Sequence, residues 1–419
     1  MCNGTIMDKL ISFSIPLMLS GILQLMFNAV DIVVVGRFSG SQALAAVGST
    51  TALINVFTNL FIGISLGANV LAARYYAAGK TKEMSETVHT AIALALVSGV
   101  AMAVIGVVFA RGALEIMGTP DDVIAKSTLY MRIYFCGMPF FMMYNYGAAI
   151  LRAVGDTKRP LIFLIVSGVI NAVLNLFLVI GFHLDVAGVG IATVISQLVS
   201  CILVLRCLHH TESSYQLHLA KLRIRSVYLK QIFEVGVPAG IQSTVINISN
   251  AMLQSSVNSF GSIAMAGYTA SNNIFGFLYV SVNSFTQACM SFTSQNYGVK
   301  KLKRMDRVLI DCMILSVVVT LILGSSVYVF GPELLHIYSD QADVIQYGME
   351  IFSYTTVTYF LCGLMDLFPG ALRGMGYSTV PMILSIIGTV GVRIIWIYGL
   401  FPSHRSLTFL FLSYPVSWI

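Results

Sequence analysis

The chain has 419 residues, of which 57% are hydrophobic and only 10% are charged, and its mean hydropathy is +0.84. Soluble globular domains carry about a quarter charged residues, so this composition excludes that class and indicates an integral membrane protein. The net charge of +6 does not indicate a nucleic-acid partner, because the basic residues lie in loops between apolar runs. At about 20 apolar residues per span, the length allows about a dozen transmembrane helices.

Apolar runs bounded by charged residues, Gly or Pro predict an all-α membrane protein with twelve transmembrane helices. No cleavable signal peptide is indicated, because Met1 to Lys9 leads into a full-length span that we expect to be retained. The runs lie at 10–35, 43–73, 88–110, 123–151, 160–182, 187–206, 232–258, 264–294, 308–330, 344–371, 380–400 and 407 to the end.

Charge in the loops predicts the orientation. If the N-terminus is cytoplasmic, 18 of the 24 Lys and Arg residues lie in inner loops, while the outer loops are mainly acidic. The positive-inside rule then predicts a multi-pass protein of the cell membrane with both termini cytoplasmic.

The first span carries a polar row on one helical face, formed by Gln24, Asn28 and Asp31. A carboxylate in hydrocarbon costs roughly 2.5 to 3.5 kcal/mol on insertion scales, so Asp31 needs a protein interior, a partner or water. Two interpretations remain open at this point: an acid hydrated near the helix end, and a functional group.

An internal repeat with an offset of about 221 residues organises the whole chain. It predicts two pseudo-symmetric six-helix lobes, 1–208 and 231–419, joined by a cytoplasmic linker at 209–230, with both lobes in the same orientation. By the same offset Ala187 maps near Thr408 and Arg206 maps beyond Ile419, so we expect the last helix to be incomplete. The matching positions include Leu151, Arg152, Gly155 and Pro160 with Leu372, Arg373, Gly376 and Pro381, and Pro16 and Asn28 with Pro238 and Asn250.

The repeat resembles the MATE (multidrug and toxic compound extrusion) transporters over essentially the whole chain. The residues that carry the resemblance are Asn28-Ala29-Val30-Asp31, Val35-Gly36, Ala43-Leu44-Ala45-Ala46-Val47-Gly48, Leu151-Arg152, Gly155-Asp156-Thr157, Pro160, Gln295-Asn296-Tyr297-Gly298 and Leu372-Arg373-Gly374. The resemblance implies a two-lobed antiporter that exports small amphipathic, often cationic, organic compounds while H⁺ or Na⁺ enters. It implies no cofactor besides that coupling ion.

Carried over residue by residue, the family's cation site falls on Asp31, Asn171, Asn175 and Thr193. The chain departs from the fullest form of that site, which has a second carboxylate where Asn175 stands. It also lacks a glutamate that some members carry in span 7. These departures leave the identity of the coupling ion open.

The depths of these residues agree with a shared site. Asp31, Asn175 and Thr193 all lie roughly 7 to 11 Å inside the outer boundary, at about 1.5 Å per residue. Their oxygens are hard ligands that suit a cation or a titrating acid. The alternative is that polar residues join the helices by hydrogen bonds.

In the second half, Leu253 occupies the position that corresponds to Asp31. Asn250, Gln254 and Asn258 form a neutral row on one face of span 7, and together with Gln24 and Asn28 they are candidates for a substrate cleft, although helix packing explains the row equally well.

Asp366 is the other acid deep in a span, and Arg393 in span 11 is its nearest counter-charge by topology. A structural ion pair and a second coupling site both remain open.

Other classes of function find less support. The seven cysteines are unclustered and indicate neither a disulfide framework nor a metal site. No ATP-binding or catalytic motif stands in a usable context, so we do not expect an enzyme. A flippase-like exporter of lipid-linked precursors would need more basic residues in the spans, and a membrane-embedded enzyme would need clustered acids or histidines. The expected partners are a small-molecule substrate, the coupling cation and the bilayer, with the protein acting as a monomer.

Overall fold

The structure, a computed structural model, describes residues 1–419 apart from the side chains of residues 41 and 52, and the described chain contains helices and no strand. The helices of the first half are α1 (Met7–Phe38), α2 (Gly40–Ala77), α3 (Thr81–Ile116), α4 (Asp121–Cys136), α5 (Met138–Val154), α6 (Lys158–Leu176) and α7 (Asp185–His209). Those of the second half are α8 (Ser226–Asn258), α9 (Ser262–Gly298), α10 (Leu302–Val329), α11 (Gly331–His336), α12 (Ala342–Thr355), α13 (Tyr359–Gly374), α14 (Thr379–Ser385), α15 (Val392–Ile395), α16 (Leu407–Phe411) and α17 (Ser413–Trp418).

All twelve predicted apolar runs are helical, but several are interrupted. The fourth run divides into α4 and α5 at Gly137, because Pro139 in the first turn of α5 has no N–H to continue the ladder. The tenth divides into α12 and α13, which are bent by 54°. Hydroxyls of Thr355, Thr356 and Thr358 donate to the preceding helical turn at this bend, a pattern that bends helices.

Two runs contain π-helical segments, which are rare and frequent at functional sites. The fifth run ends in one at Phe177–Gly181, directly after α6. The eleventh run contains two, Ile386–Gly391 and Trp396–Leu400, on either side of the single turn of α15. Glycines at 388, 391 and 399 lower the helix propensity of this run.

Seven of the described helices are long and apolar enough to cross a membrane individually, and the bent pair of α12 and α13 makes an eighth. The fourth run falls short of this length because it is divided into α4 and α5, and the twelfth because its helical part extends only from Leu407 to Trp418. The seventh and eighth runs are long enough but carry many Ser, Asn and Gln side chains, which lower their hydropathy.

The chain forms two compact units, 19–240 and 1–18 with 241–419, so the boundaries fall inside α1 and α8. The first unit has one large core, in which Phe135, Tyr146 and Leu151 are fully buried. The second unit has several smaller cores, one of which packs the first turns of α1 against α9 and α10. The proposed boundaries of the six-helix lobes at 208 and 231 stay a prediction.

The internal repeat is visible in the backbone. L-residues rarely adopt a positive φ, so such positions do not coincide by chance. Three pairs of positive-φ residues are separated by 221 positions: Gly40 and Gly261, Gly79 and Lys300, and Gly155 and Gly376. Gly155 and Gly376 follow the two copies of the Leu-Arg motif, so the repeated sequence ends its helices with the same turn.

The linker after α7 is bound to the N-terminal part of α3. Glu86 forms ion pairs with Arg223 and Arg225, the second at 3.2 Å. Buried His89 accepts a hydrogen bond at Nε2 from the backbone N–H of His218, at 3.1 Å. These contacts explain why a polar segment between two spans takes a defined path.

Candidate ion site and buried charges

Close packing of α1 on α6 positions the candidate ion site. A Cβ on Gly168 would lie 1.9 Å from the ring of Phe27, so only glycine permits this approach. Asp31 lies one turn beyond Phe27 on the same face, and Asn175 lies two turns beyond Gly168. The two helices therefore present Asp31 and Asn175 to each other.

The structure brings together Asp31, Asn171 and Asn175. The Nδ2 group of Asn175 donates to the Oδ1 atom of Asp31, and also to Oδ1 of Asn171 at 3.2 Å. Asn175 is fully buried and Asn171 is 5% exposed. The Oδ1 atom of Asn175 is buried and has no hydrogen-bond partner among the described atoms, which is unusual for a buried acceptor. A carboxylate and an unused amide oxygen thus lie on adjacent groups, as a proton or small-cation site requires.

Thr193 makes a different contact. Its hydroxyl donates to the carbonyl of Val189, one turn earlier in α7, at 2.9 Å. Sequence reasoning missed Gln197, which lies one turn after Thr193 and bonds to Tyr134 of α4. Tyr130 and Tyr134 both lie close enough to Asp31 to interact with its charge. The spacing of four residues between Thr193 and Gln197 is the signal that identifies Gln197.

The neutral residues proposed for a substrate cleft are mostly exposed. Gln24 and Asn28 on α1 are exposed, as are Gln254 and Asn258 on α8. Leu253, which corresponds to Asp31 in the repeat, is fully buried. The fifth candidate, Asn250, is partly buried and accepts a hydrogen bond from Arg393.

Asp366 belongs to a polar network inside the second unit. The Tyr279 hydroxyl donates to its carboxylate, and Arg373 lies close enough to interact with its charge. Arg373 donates to Oε1 of Gln242, whose amide nitrogen donates to Ser385 at 2.8 Å. The expected pair between Asp366 and Arg393 is not formed, because each group has other partners.

Arg393 bonds to neutral groups instead. Its Nη1 atom donates to Oδ1 of Asn250 at 2.6 Å, and its Nε donates to the Ser417 hydroxyl at 3.1 Å. The ring of Tyr414 lies 5.0 Å from its guanidinium carbon. Within the described part of the chain, no group of three or more His, Cys, Asp or Glu side chains is arranged to hold a metal ion.

Comparison with known proteins decides the family. The MatE family model matches this chain twice, at residues 16–177 and 238–398, and the two matches begin 222 residues apart. This separation is that of the internal repeat, and the two matches cover well over half of the chain. The chain belongs to the MATE family.

Named relatives extend over nearly the whole chain. The probable multidrug resistance protein YoeA of Bacillus subtilis is 30% identical over 389 residues, covering 91% of this chain and 84% of the relative. The multidrug export protein MepA of Staphylococcus saprophyticus is 23% identical and covers 95% of this chain and 89% of its own length. The crystal structure of a mutant of the Vibrio cholerae MATE transporter VcmN has a TM-score of 0.91 at 19% identity, covering 99% of this chain and 94% of that one.

These comparisons confirm the predicted fold class. The protein is an all-α integral membrane transporter of the MATE family, and its two halves are related repeats. The structure adds the contacts that a family match does not give. These are the carboxylate–amide cluster on α1 and α6, the Asp366 network and the isolated charge of Arg393.

Proposed function

We propose that this MATE transporter is a secondary active antiporter that exports small amphipathic, often cationic, organic compounds in exchange for H⁺ or Na⁺. Its relatives are named as multidrug resistance and multidrug export proteins, which supports the substrate class. The observation that carries the ion coupling is the bond between Asn175 and the Asp31 carboxylate, deep in the spans and next to an unused amide oxygen.

In the proposed mechanism, an ion neutralises Asp31 and changes how α1 and α6 are joined. The ionised carboxylate accepts a hydrogen bond from Nδ2 of Asn175, as in this structure. A protonated carboxyl is itself a donor, and rotation of the Asn175 amide would offer it the free oxygen. Na⁺ would use the same two oxygens as hard ligands. Either event replaces the present bond with another geometry between the two helices.

We propose alternating access between the two six-helix lobes as the transport cycle. Gln24, Asn28, Asn250, Gln254 and Asn258 are then the neutral groups that line the substrate path. Exposed amides inside apolar spans favour a water-accessible surface over lipid contact. We also propose that both termini are cytoplasmic and that the protein works as a monomer.

The function is tested with proteoliposomes that contain the purified protein and a cationic dye, such as the methyl ester of a rhodamine. Separate pH and Na⁺ gradients are imposed, and dye movement is followed by fluorescence. We expect one of the two gradients to drive export by the wild-type protein. The family role in multidrug export would not extend to this chain if neither gradient drove movement of the dye.

Asp31→Asn tests the site without changing the size of the side chain, and Asp31→Glu is its control because it keeps a titrating carboxyl. We expect Asp31→Asn to abolish gradient-driven export and Asp31→Glu to retain part of it. Full ion-driven export by Asp31→Asn would refute the coupling role. Asp366→Asn, assayed in parallel, determines whether the Asp366 network is a second coupling site or a structural one.

A further inference from the structure

Arg393 is a buried guanidinium in the eleventh span whose described partners are all neutral. The residue is 3% exposed. It bonds to Asn250 and Ser417 and lies against the ring of Tyr414. None of the ion pairs among the described residues includes Arg393. This part of the molecule therefore contains a permanent positive charge without a protein counter-charge.

Such a charge is costly to keep in a membrane protein. Arginine stays protonated in proteins, so it cannot relieve its burial by losing a proton. Its hydrogen bonds to neutral partners offset only part of the free energy that is lost when the guanidinium leaves water. Charged residues inside spans are rare and mark substrate or ion paths. The backbone also indicates a functional site here, because α15 lies between two π-helical segments, which are frequent at functional sites.

Several N–H donors of the Arg393 guanidinium have no acceptor among the described residues. It carries five N–H groups, and only two of them bond to described acceptors. The planar fork of arginine matches the two oxygens of a carboxylate. Three aromatic side chains lie near the guanidinium. The hydroxyl of Tyr414 is hydrogen-bonded to that of Tyr268 at 2.8 Å, and the ring of Trp418 lies 5.7 Å from that of Tyr414. The chemistry of this site suits an anionic group attached to a flat aromatic molecule.

The repeat makes the sign of this charge informative. In the first half, an amide on α6 bonds to the carboxylate of Asp31 on α1, which joins spans 1 and 5. In the second half, the amide of Asn250 on α8 bonds to the guanidinium of Arg393, which joins spans 7 and 11. The same pair of spans is thus linked in each half by an amide and a charge, and the charges are of opposite sign.

We propose that Arg393 binds the carboxylate of exported aromatic compounds, so that the transporter accepts zwitterionic molecules as well as cations. This inference rests on the proposed export function and names the part of the protein that recognises an anionic substrate group. Asn250 and Ser417 hold the guanidinium while the site is empty.

The experiment compares a rhodamine that has a free carboxylate with its methyl ester, in which one added methyl group removes the negative charge. Efflux of both dyes is measured in proteoliposomes that contain the wild-type protein, Arg393→Gln or Arg393→Lys. The readout is the ratio of the acid rate to the ester rate within each variant, because this ratio cancels differences in the amount of folded protein. We expect Arg393→Gln to lower the ratio by about tenfold or more, the loss typical of a charged hydrogen-bond contact. Arg393→Lys keeps the positive charge but not the planar fork, so its ratio should lie between those of the wild type and Arg393→Gln.

Asn250→Asp is the second variant and keeps Arg393 in place. It supplies an internal carboxylate that competes for the guanidinium, so we expect the same selective loss of the acid dye. If Arg393→Gln fails to fold, Asn250→Asp decides the question. An unchanged ratio in the folded variants, or wild-type protein that exports the ester but not the acid, would overturn the proposal. A wild-type protein that exports neither dye would instead overturn the export function.

A free inorganic anion is the other source of negative charge for this site. Replacing chloride by gluconate separates the two. We expect no change in efflux of either dye by the wild-type protein. Loss of ester efflux without chloride would assign the site to a free anion and overturn the assignment to the substrate.

Discussion

The contact between α2 and α8 offers a sharp test of the helix packing. Gly63 and Gly67 on α2 cross Gly236 and Gly240 on α8, so each helix contributes a Gly-xxx-Gly pair. Small residues at such spacing let membrane helices approach closely and gain van der Waals contact. A Cβ on Gly67 would lie 2.1 Å from the carbonyl oxygen of Ile232. The Gly67→Ala variant cannot relieve this overlap with a rotamer, because the obstacle is backbone.

The structure sets the size of the effect. Ordinary contacts of a Cβ begin near 3.4 Å, so the helices must separate by about 1 Å along this line. A gap of 0.5–1 Å removes roughly a quarter to a half of the contact energy of the atoms involved. Overpacking of this kind typically costs about 1–3 kcal/mol. We therefore expect Gly67→Ala to lose about 2 kcal/mol.

The assay is the temperature at which half of the detergent-purified protein remains monodisperse after heating. A loss of about 2 kcal/mol corresponds to a decrease of about 4–8 °C for a unit of this size. Gly48→Ala is the matched control, because it lies in the same helix and its new Cβ meets nothing within 4 Å. Since alanine favours helix more than glycine does, the control should be neutral or slightly stabilising.

A double variant completes the test. Once the first methyl has separated the helices, a second one at the same crossing costs less, so Gly67→Ala with Gly236→Ala should be less destabilised than the sum of the single variants. The close crossing would be refuted if Gly67→Ala unfolded at the same temperature as Gly48→Ala.

Three further predictions concern the linker and the ion site. Glu86→Gln removes the ion pairs to Arg223 and Arg225 and should speed hydrogen exchange in the linker by an amount equivalent to about 1 kcal/mol or less. Unchanged exchange would show that these ion pairs do not stabilise the bound linker. Burial and nearby basic side chains lower the pKa of His218, so the bound linker disfavours the protonated form and should loosen as the pH falls below about 6.5. Hydrogen exchange in the linker, corrected for its intrinsic pH dependence, measures this loosening. The His218→Gln variant should show no such pH dependence. If the Na⁺ gradient drives export, Asn175→Asp, which adds a second charged oxygen to the ion site, should lower the Na⁺ concentration for half-maximal efflux by about tenfold. An unchanged Na⁺ requirement would then argue against Asn175 as an ion ligand.

The sequence was sufficient to locate the spans and to predict that Asp31 and Asn175 lie close together, because both predictions depend on short-range rules. Apolar runs have a fixed minimum length in a bilayer, and counting residues from a span end gives depth. Asp31 lies within the regular helix α1 and Asn175 lies in the last turn of α6, and their predicted depths agree with the observed hydrogen bond. The structure adds Gly168, whose role is visible only when Phe27 is seen against it.

The same counting fails where helices are irregular. The predicted pairing of Asp366 with Arg393 assumes straight helices, but α12 and α13 are bent by 54° and α15 is flanked by π-helical turns. These distortions rotate and shift the side chains that follow them. Thr193 illustrates a second limit, because sequence does not reveal that its hydroxyl is used by the carbonyl of Val189.

The repeat separates architecture from chemistry. Gly155 and Gly376 keep both their residue and their conformation, and end helices with the same turn. Two charges inside the spans are not shared by the copies: Asp31 corresponds to Leu253, and Arg393 corresponds to Ala172.

Trp396, which corresponds to Asn175, instead donates to the carbonyl of Phe409 and packs on its ring. We expect a duplicated scaffold that differs at Asp31 and Arg393 to perform different tasks in its two halves. On the proposals made above, the first half would respond to the ion through Asp31, and the second half would act on the substrate through the fixed positive charge of Arg393.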